Sequence, residues 1–122
     1  MVLYTHSMDT KHSLSEYLKI QFVPPISVAK EAARGLELRA KFGRGGTAVG
    51  LDRARVLARR DTQTPHEIRH MYAYFARHEV DKKGKNFYNP NRPSNGYIAW
   101  LLWGGESGKE WVTKVRARLL GT

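Results

Sequence analysis

Apolar residues recur at helical spacing in five segments of the chain after Pro24-Pro25, and no stretch alternates apolar and polar residues as a strand does. The predicted helices run from Ser27 to near Phe42, from Thr47 through Ala58, from Thr64 onwards, from Ser94 through Leu102, and from Ser107 through Leu119. We therefore expect an all-α fold, a compact bundle of about five helices.

Local signals place the ends of these helices. Thr64-Pro65-His66-Glu67 is the clearest start, with threonine as N-cap, proline at the first helical position and glutamate at the third. Ser107-Gly108-Lys109-Glu110 also fits a capping box, and Ser27 is a candidate cap for the first helix. Gly43 is positioned to end that helix. Between Lys82 and Asn95 we predict a long loop, because this stretch is rich in asparagine, proline and glycine.

The two prolines divide the chain into an N-terminal arm, residues 1–23, and a basic helical domain, residues 24–122. Within the arm, Ser13-Leu14-Ser15-Glu16 fits a capping box in front of a short helix. Such a short helix is unstable alone, so we expect the arm to dock on the domain.

Charge sharpens this picture. The 122 residues carry 21 Lys and Arg against 11 Asp and Glu, a net charge of +10, while the arm itself is neutral. The excess is concentrated in three clusters, at 39–60, 82–92 and 109–118. Clustered positive charge without acidic counterweight favours a polyanionic partner. The basic runs lack the broad apolar face of a membrane-bound helix, so we expect no membrane partner.

One motif raises the possibility of catalysis. His66-Glu67-Ile68-Arg69-His70 matches the H-E-x-x-H pattern in which two histidines bind zinc and the glutamate activates water. Here the motif occupies a first helical turn, Glu67 is explained by the capping box, and no third ligand follows at Ala76. The chain has no cysteine and no nucleophile motif. We therefore expect no catalytic residue, no metal and no cofactor, and keep a zinc hydrolase as the third hypothesis.

Gly43-Arg44-Gly45-Gly46-Thr47 leads directly into a helix N-terminus, which leaves two interpretations open. Free N–H groups, the helix dipole and Arg44 would suit a phosphate. An ordinary turn that requires positive φ would have the same sequence.

Leu57-Ala58-Arg59-Arg60, followed by Thr64-Pro65 and then Ile68 and Met71, resembles the helix-turn-helix of phage-repressor-type DNA-binding domains. The resemblance implies that the helices cross at Ala58 and that the helix after Thr64 reads bases. It places His66, Glu67, Arg69 and His70 at the major groove and Arg59, Arg60 and Arg77 near phosphates. The turn lacks the glycine that is common in that family.

The candidate nucleic-acid contacts combine this resemblance with the basic clusters and the long loop. They are Arg44, Arg53, Arg59, Arg60, Thr64, His66, Arg69, His70, Arg77, Lys82, Lys83, Lys85 and Arg92. Tyr88 in the loop is a candidate for stacking on a base, whereas Trp100, Trp103 and Trp111 are predicted to lie in the core.

From about Pro24 to Leu119 the chain also resembles a small helical module of tailed bacteriophages and prophages, found alone or attached to head-associated proteins. The segments that carry this resemblance are Pro24-Pro25, Gly43-Arg44-Gly45-Gly46-Thr47, Phe75-Ala76-Arg77-His78-Glu79-Val80-Asp81-Lys82 and Ala99-Trp100-Leu101-Leu102-Trp103-Gly104-Gly105. The resemblance implies a location in the cytoplasm of the infected bacterium or in the virion.

We therefore expect a non-enzymatic phage protein that binds nucleic acid, with DNA favoured over RNA, mainly through phosphates. The alternative is a structural module that contacts the capsid or another virion protein.

Overall fold

The computed structural model describes residues 22–121, and these form an all-helical fold, as predicted. The five α-helices are α1 Ile26–Phe42, α2 Ala48–Ala58, α3 Pro65–His78, α4 Asn95–Leu102 and α5 Gly105–Leu119, with a 3₁₀-helix at Glu79–Lys83. The predicted arm helix lies outside the described residues. Within the described part of the chain, no helix is both long and apolar enough to cross a membrane.

Three of the predicted helix boundaries are confirmed in detail. Gly43 ends α1 in the left-handed conformation, with φ of 67°. The Thr47 side chain accepts the Gly50 N–H at the start of α2. At the start of α3, Thr64 and Glu67 form the complete capping box, each side chain accepting the other residue's backbone N–H.

Two predicted starts are wrong. Helix α1 begins at Ile26 after Pro25, and Ser27 makes no cap. Helix α5 begins at Gly105, two residues before the predicted Ser107, because Glu31 of α1 takes over the capping role by accepting the Ser107 N–H at 2.9 Å. This carboxylate lies far away along the chain, so the local pattern could not reveal it.

Helix α4 occupies the centre of the bundle and packs against every other α-helix. Its side chains Ile98, Trp100 and Leu102 are almost fully buried. Trp103, which follows it, and Trp111 of α5 are buried as well, which confirms the predicted core role of the three tryptophans. A helix that is apolar on all sides is stable only when it is surrounded.

Glycines allow the neighbouring chain to approach α4 closely. A Cβ added at Gly35 of α1 would lie 2.7 Å from the Leu102 backbone nitrogen. A Cβ at Gly45 would lie 2.7 Å from Ile98, and one at Gly46 would lie 2.5 Å from Leu102. Gly45 and Gly46 also have positive φ, 98° and 75°. The turn interpretation of this glycine-rich segment is therefore sufficient to explain its sequence.

Phe22, a residue of the predicted arm, belongs to the hydrophobic core. The Phe22 side chain is 1% exposed, and its carbonyl accepts the Gln63 N–H at 2.8 Å. Gln63 is itself buried, and its side chain donates to the Asp61 carbonyl. Phe22 is thus attached to the segment between α2 and α3.

We expect Gly35→Ala to destabilise the fold by about 1 to 3 kcal/mol, because the new methyl group would overlap backbone rather than a movable side chain. In an uncrowded helix the same change would stabilise by about 0.5 to 1 kcal/mol. Urea unfolding followed by circular dichroism measures the difference. Ala40→Gly, at an exposed position of α1, is the control for helix propensity. A Gly35→Ala protein as stable as the parent would show that α1 and α4 do not need this close approach.

Candidate functional site

Several of the predicted phosphate contacts are engaged inside the fold. The Arg53 side chain is only 11% exposed, and its guanidinium donates to Gln63 Oε1 at 2.6 Å and to Glu67 Oε2 at 3.1 Å. It also lies 5.7 Å from the Trp103 ring centroid. Arg53 therefore joins α2 to the start of α3, and little of its side chain is left exposed for a phosphate.

Arg59 and Arg60 also have partners within the protein. Arg59 forms a two-donor ion pair with Asp61, at 2.8 and 3.2 Å. The Arg60 Nε donates to the Pro24 carbonyl at 2.8 Å, and its backbone has φ of 59°. This left-handed residue lies directly before Asp61-Thr62-Gln63, the turn in which the helix-turn-helix resemblance lacks its glycine.

Lys82 is the fourth engaged cation. It forms ion pairs with Glu79 at 3.0 Å and Glu106 at 2.7 Å, and lies 4.6 Å from the Trp100 ring centroid. Burial lowers the pKa of Lys82, but the contacts with Glu106 and Glu79 outweigh it, so the pKa is raised above the ordinary value. Lys82 thus holds the 3₁₀-helix against α5.

Helices α2 and α3 occupy the places expected of a helix-turn-helix, but their packing differs from that motif. Six residues, 59–64, connect them, where the motif has about three or four. Helix α2 packs mainly on α1 and α4, and α3 mainly on α5. The expected crossing at Ala58 is therefore not the principal contact of either helix. Thr64 serves as the cap, and Glu67 faces Arg53 rather than a groove.

The H-E-x-x-H segment shows no metal-binding arrangement. The His66 and His70 rings stack with centroids 6.3 Å apart, and Glu67 is held by Thr64 and Arg53. Partial burial raises the pKa of Glu67, but hydrogen bonds from the Thr64 N–H and Arg53 outweigh it, so the pKa lies below its ordinary value. Among residues 22–121, no three His, Asp or Glu side chains are grouped closely enough to hold a metal ion.

A cleft between three helices brings some of the remaining candidates together. We call it the α3 cleft; its volume is about 450 Å³. The residues that line it come from the start of α2, the second half of α3, the 3₁₀-helix, and α4 with the residue that follows it. They are Gly46, Thr47, Val49, His70, Tyr74, Arg77, His78, Asp81, Asn95, Gly96, Ala99 and Trp103. His70 and Arg77 of the predicted set lie in it.

The floor of the α3 cleft is a stack of rings. Tyr74 lies between Trp103 and His78, with centroid distances of 4.4 Å on each side. His70 meets the Trp103 ring edge-on at 5.3 Å. Because both faces of Tyr74 are covered, this floor is a rigid wall rather than a platform for another ring.

Three arginines of this region, of which only Arg77 lines the cleft, form no ion pair with the described residues. The Arg77 side chain is exposed, and Arg44 donates to Asn95 Oδ1 at 2.6 Å. Arg69 is also exposed, on the neighbouring face of α3. His78 contacts Asp81 at 3.0 Å.

The long loop borders the same region and is partly ordered by its own contacts. It begins with the 3₁₀-helix, which the sequence did not predict. In the middle of the loop, the Phe87 side chain is 2% exposed and holds the loop against the core. Tyr88 is 59% exposed and meets Tyr97 at 5.2 Å. The loop cations Lys83, Lys85 and Arg92 are exposed and form no ion pair with the described residues.

Sequence reasoning missed the side chains that form the floor of the cleft. Helical spacing predicts Ile68, Met71, Tyr72 and Phe75 on the inward face of α3. In the structure Tyr74 is 5% exposed and Tyr72 is half-buried. Tyr74 follows Met71 by three residues, so the helical period could have found it. No sequence signal brings α3 and α4 together.

We expect Glu67→Gln to lower the free energy of unfolding at pH 7 by about 1 to 2 kcal/mol, since Arg53 loses its charged partner. The folded-state pKa of Glu67 lies below the ordinary 4.5, so its contribution is complete above that pH and is lost as the pH falls through the folded value. The difference in free energy of unfolding between the parent and Glu67→Gln should therefore disappear at low pH. Urea unfolding at pH 7, 5 and 3 measures it.

Glu37→Gln is the matched control for this change, because its pair with Arg34 is exposed and 3.5 Å long. We expect it to have almost no effect at any pH. A gap for Glu67→Gln that stayed constant down to pH 3 would contradict a charge-based role.

Comparison with known proteins found no matching family model, no matching curated protein and no matching solved structure.

Proposed function

We propose that the protein is a non-enzymatic, phage-type nucleic-acid-binding protein that acts mainly through phosphate contacts, with DNA favoured over RNA. The observation that carries the proposal is the way the charges are paired. Residues 22–121 hold nineteen Lys and Arg side chains but only nine carboxylates. Eight of these carboxylates contact a basic side chain of the protein itself, His78 included.

The ninth carboxylate, Glu31, is engaged with the Ser107 N–H. Only seven of the nineteen cations belong to the ion pairs, so twelve have no carboxylate partner within the described residues. The carboxylates are thus occupied by partners within the protein, and nine of the twelve unpaired cations are exposed to solvent. A surface of this kind attracts polyanions and releases their counterions on binding.

The free cations near the α3 cleft form the interface that we favour. Its members are Arg69, Arg77, Lys83, Lys85 and Arg92, all of them exposed. Arg44 lies close by, bound to Asn95, and His66 and His70 add donors along α3. Base reading by α3 would depend on Arg69, since Glu67 faces inward.

A second candidate, a structural module of the phage particle, is favoured by apolar side chains beside the same surface. Val49, Val80 and Tyr88 are 55%, 60% and 59% exposed. Exposed apolar groups next to cations suit an acidic protein surface as well as a nucleic acid. Mass spectrometry of purified particles distinguishes the two, because a structural module has a fixed copy number per virion. On either proposal the protein acts in the infected cell or in the virion.

We expect affinity for a labelled DNA duplex to fall steeply with salt. With about five phosphates neutralised, the plot of log K against log [NaCl] should have a slope of about −4.5. Fluorescence anisotropy between 50 and 200 mM NaCl, repeated with single-stranded DNA and RNA, measures it. The triple variant Lys83→Ala, Lys85→Ala, Arg92→Ala should reduce the slope by about 3.

The control Arg34→Ala, Arg55→Ala, Lys114→Ala removes the same charge from exposed positions that already have carboxylate partners. If only net charge matters, both triple variants will behave alike, and the interface is wrong. A flat salt plot for the parent protein would end the nucleic-acid proposal.

Two single substitutions separate base reading from phosphate contact. Arg69→Ala should relax any sequence preference, because Arg69 is the exposed arginine on the first half of α3. Lys83→Ala should weaken binding to all DNA sequences equally and reduce the salt slope by about 1. Binding selection from a random duplex pool compares the two. Unchanged preference in Arg69→Ala would rule out a base-reading role for α3.

A further inference from the structure

The α3 cleft contains a buried hydroxyl group without a partner. Tyr74 is 5% exposed, and its hydroxyl oxygen makes no hydrogen bond with any residue that the structure describes. Tyr74 lines the cleft together with Arg77 and Asp81. A buried hydroxyl that lacks a partner is costly to the fold, so it needs an explanation.

The Tyr74 hydroxyl is a donor at neutral pH. Burial and the charge of Asp81 raise its pKa far above the ordinary value, although Arg77 acts in the opposite direction. The phenol is therefore protonated at neutral pH and can donate a hydrogen bond to an acceptor in the cleft. The missing acceptor must be a group that the cleft itself does not supply.

Other donors converge on the same cleft from separate elements. Arg77 has no carboxylate partner among the described residues and lines the cleft from α3. Thr47 and Val49 place the start of α2 there, and Asn95 and Gly96 place the start of α4 there. The first N–H groups of a helix have no partner within the helix, and the positive end of its dipole lies beside them.

One carboxylate lies in the cleft and already has a partner. Asp81 Oδ2 contacts His78 Nδ1 at 3.0 Å and lies close to Gly96 at the start of α4. It therefore occupies part of the positive end of α4 and would repel an incoming anion. The start of α2, Arg77 and Tyr74 remain as the donors without an internal acceptor.

We propose that the α3 cleft binds one phosphoryl group of a nucleic-acid strand, held by the Arg77 guanidinium, the Tyr74 hydroxyl and the first N–H groups of α2. The assignment of this phosphoryl group to a nucleic-acid strand rests on the proposed function. A tetrahedral dianion or monoanion can accept from all of these donors at once. The volume of the cleft lies within the range of small-ligand sites.

The ring stack argues against a base as the occupant. Both faces of Tyr74 are covered by Trp103 and His78, and Arg53 lies over the Trp103 ring. A base would have no open tyrosine face on which to stack. Donor groups, rather than ring faces, are what the cleft offers.

The test uses inorganic phosphate as the probe and the whole chain as the protein. Amide chemical shifts are followed by NMR at constant ionic strength, with chloride replaced by phosphate. We expect saturable shifts at Ala48, Val49 and the Arg77 side chain. Shifts that are absent, or that spread evenly over the basic surface, would overturn the site.

Tyr74→Phe separates a binding role from a structural one. Removing the hydroxyl deletes an unpaired buried group, so the melting temperature should stay the same or rise. Phosphate binding should nevertheless weaken about tenfold, through loss of one hydrogen bond to a charged acceptor. Tyr72→Phe, on the same helix but outside the cleft, is the control and should leave phosphate binding unchanged. A Tyr74→Phe protein that binds phosphate as well as the parent would refute the donor role.

Asp81→Asn should change phosphate binding in the opposite direction to Tyr74→Phe. Removing the one carboxylate of the cleft should tighten phosphate binding severalfold, whereas the control Asp52→Asn, on exposed α2 surface, should change it little. Equal effects of the two variants would show that only net charge matters, against the site.

Nucleic-acid binding, measured separately by anisotropy, distinguishes failure of the site from failure of the function. One outcome is that the parent protein binds the duplex with the expected salt slope and that Tyr74→Phe and Arg77→Ala bind it equally well. In that case the function stands and the site is refuted. If phosphate binds in the cleft but no nucleic acid binds, the function fails and the strand assignment fails with it. Comparing 5′-phosphorylated with 5′-hydroxyl oligonucleotides assigns the bound group: tighter binding of the former indicates a strand end, and equal binding an internal phosphate.

Discussion

Burial of α4 is the constraint on which the rest of the structure depends. This short helix is apolar around its whole circumference, so it is stable only while α1, α2, α3 and α5 surround it. The surrounding chain must come very close, and Gly35 and Gly46 make this possible by lacking side chains. The position of α4 then fixes where its own N-terminus lies, beside α3 and the start of α2.

The α3 cleft is a consequence of that arrangement. Because α4 is inserted between its neighbours, the starts of α2 and α4 meet the second half of α3, and their free N–H groups share one cavity with Arg77. The rings of Tyr74 and Trp103 pack face to face below them. The same packing that completes the core therefore collects donor groups at its edge.

Electrostatics has a double role in this chain. Contacts such as Arg53 with Glu67 and Lys82 with Glu106 join elements that are distant in sequence, and they use carboxylates of which there are few. Each such contact uses one of the few carboxylates, so fewer are left to pair with the remaining cations. The paired and the unpaired cations thus have one origin, an excess of basic over acidic residues in which the carboxylates are already occupied.

The sequence by itself determined the helical class, most helix boundaries and the buried tryptophans, because helical period, capping and glycine stops are local properties. It could not separate Arg53 from Arg69, since both are arginines on predicted helices and only their neighbours differ. It missed the Glu31 cap of α5 for the same reason. Which cations face solvent, and that Tyr74 lies in a cleft with Arg77, was decided by the tertiary structure, because these facts depend on contacts between residues far apart along the chain.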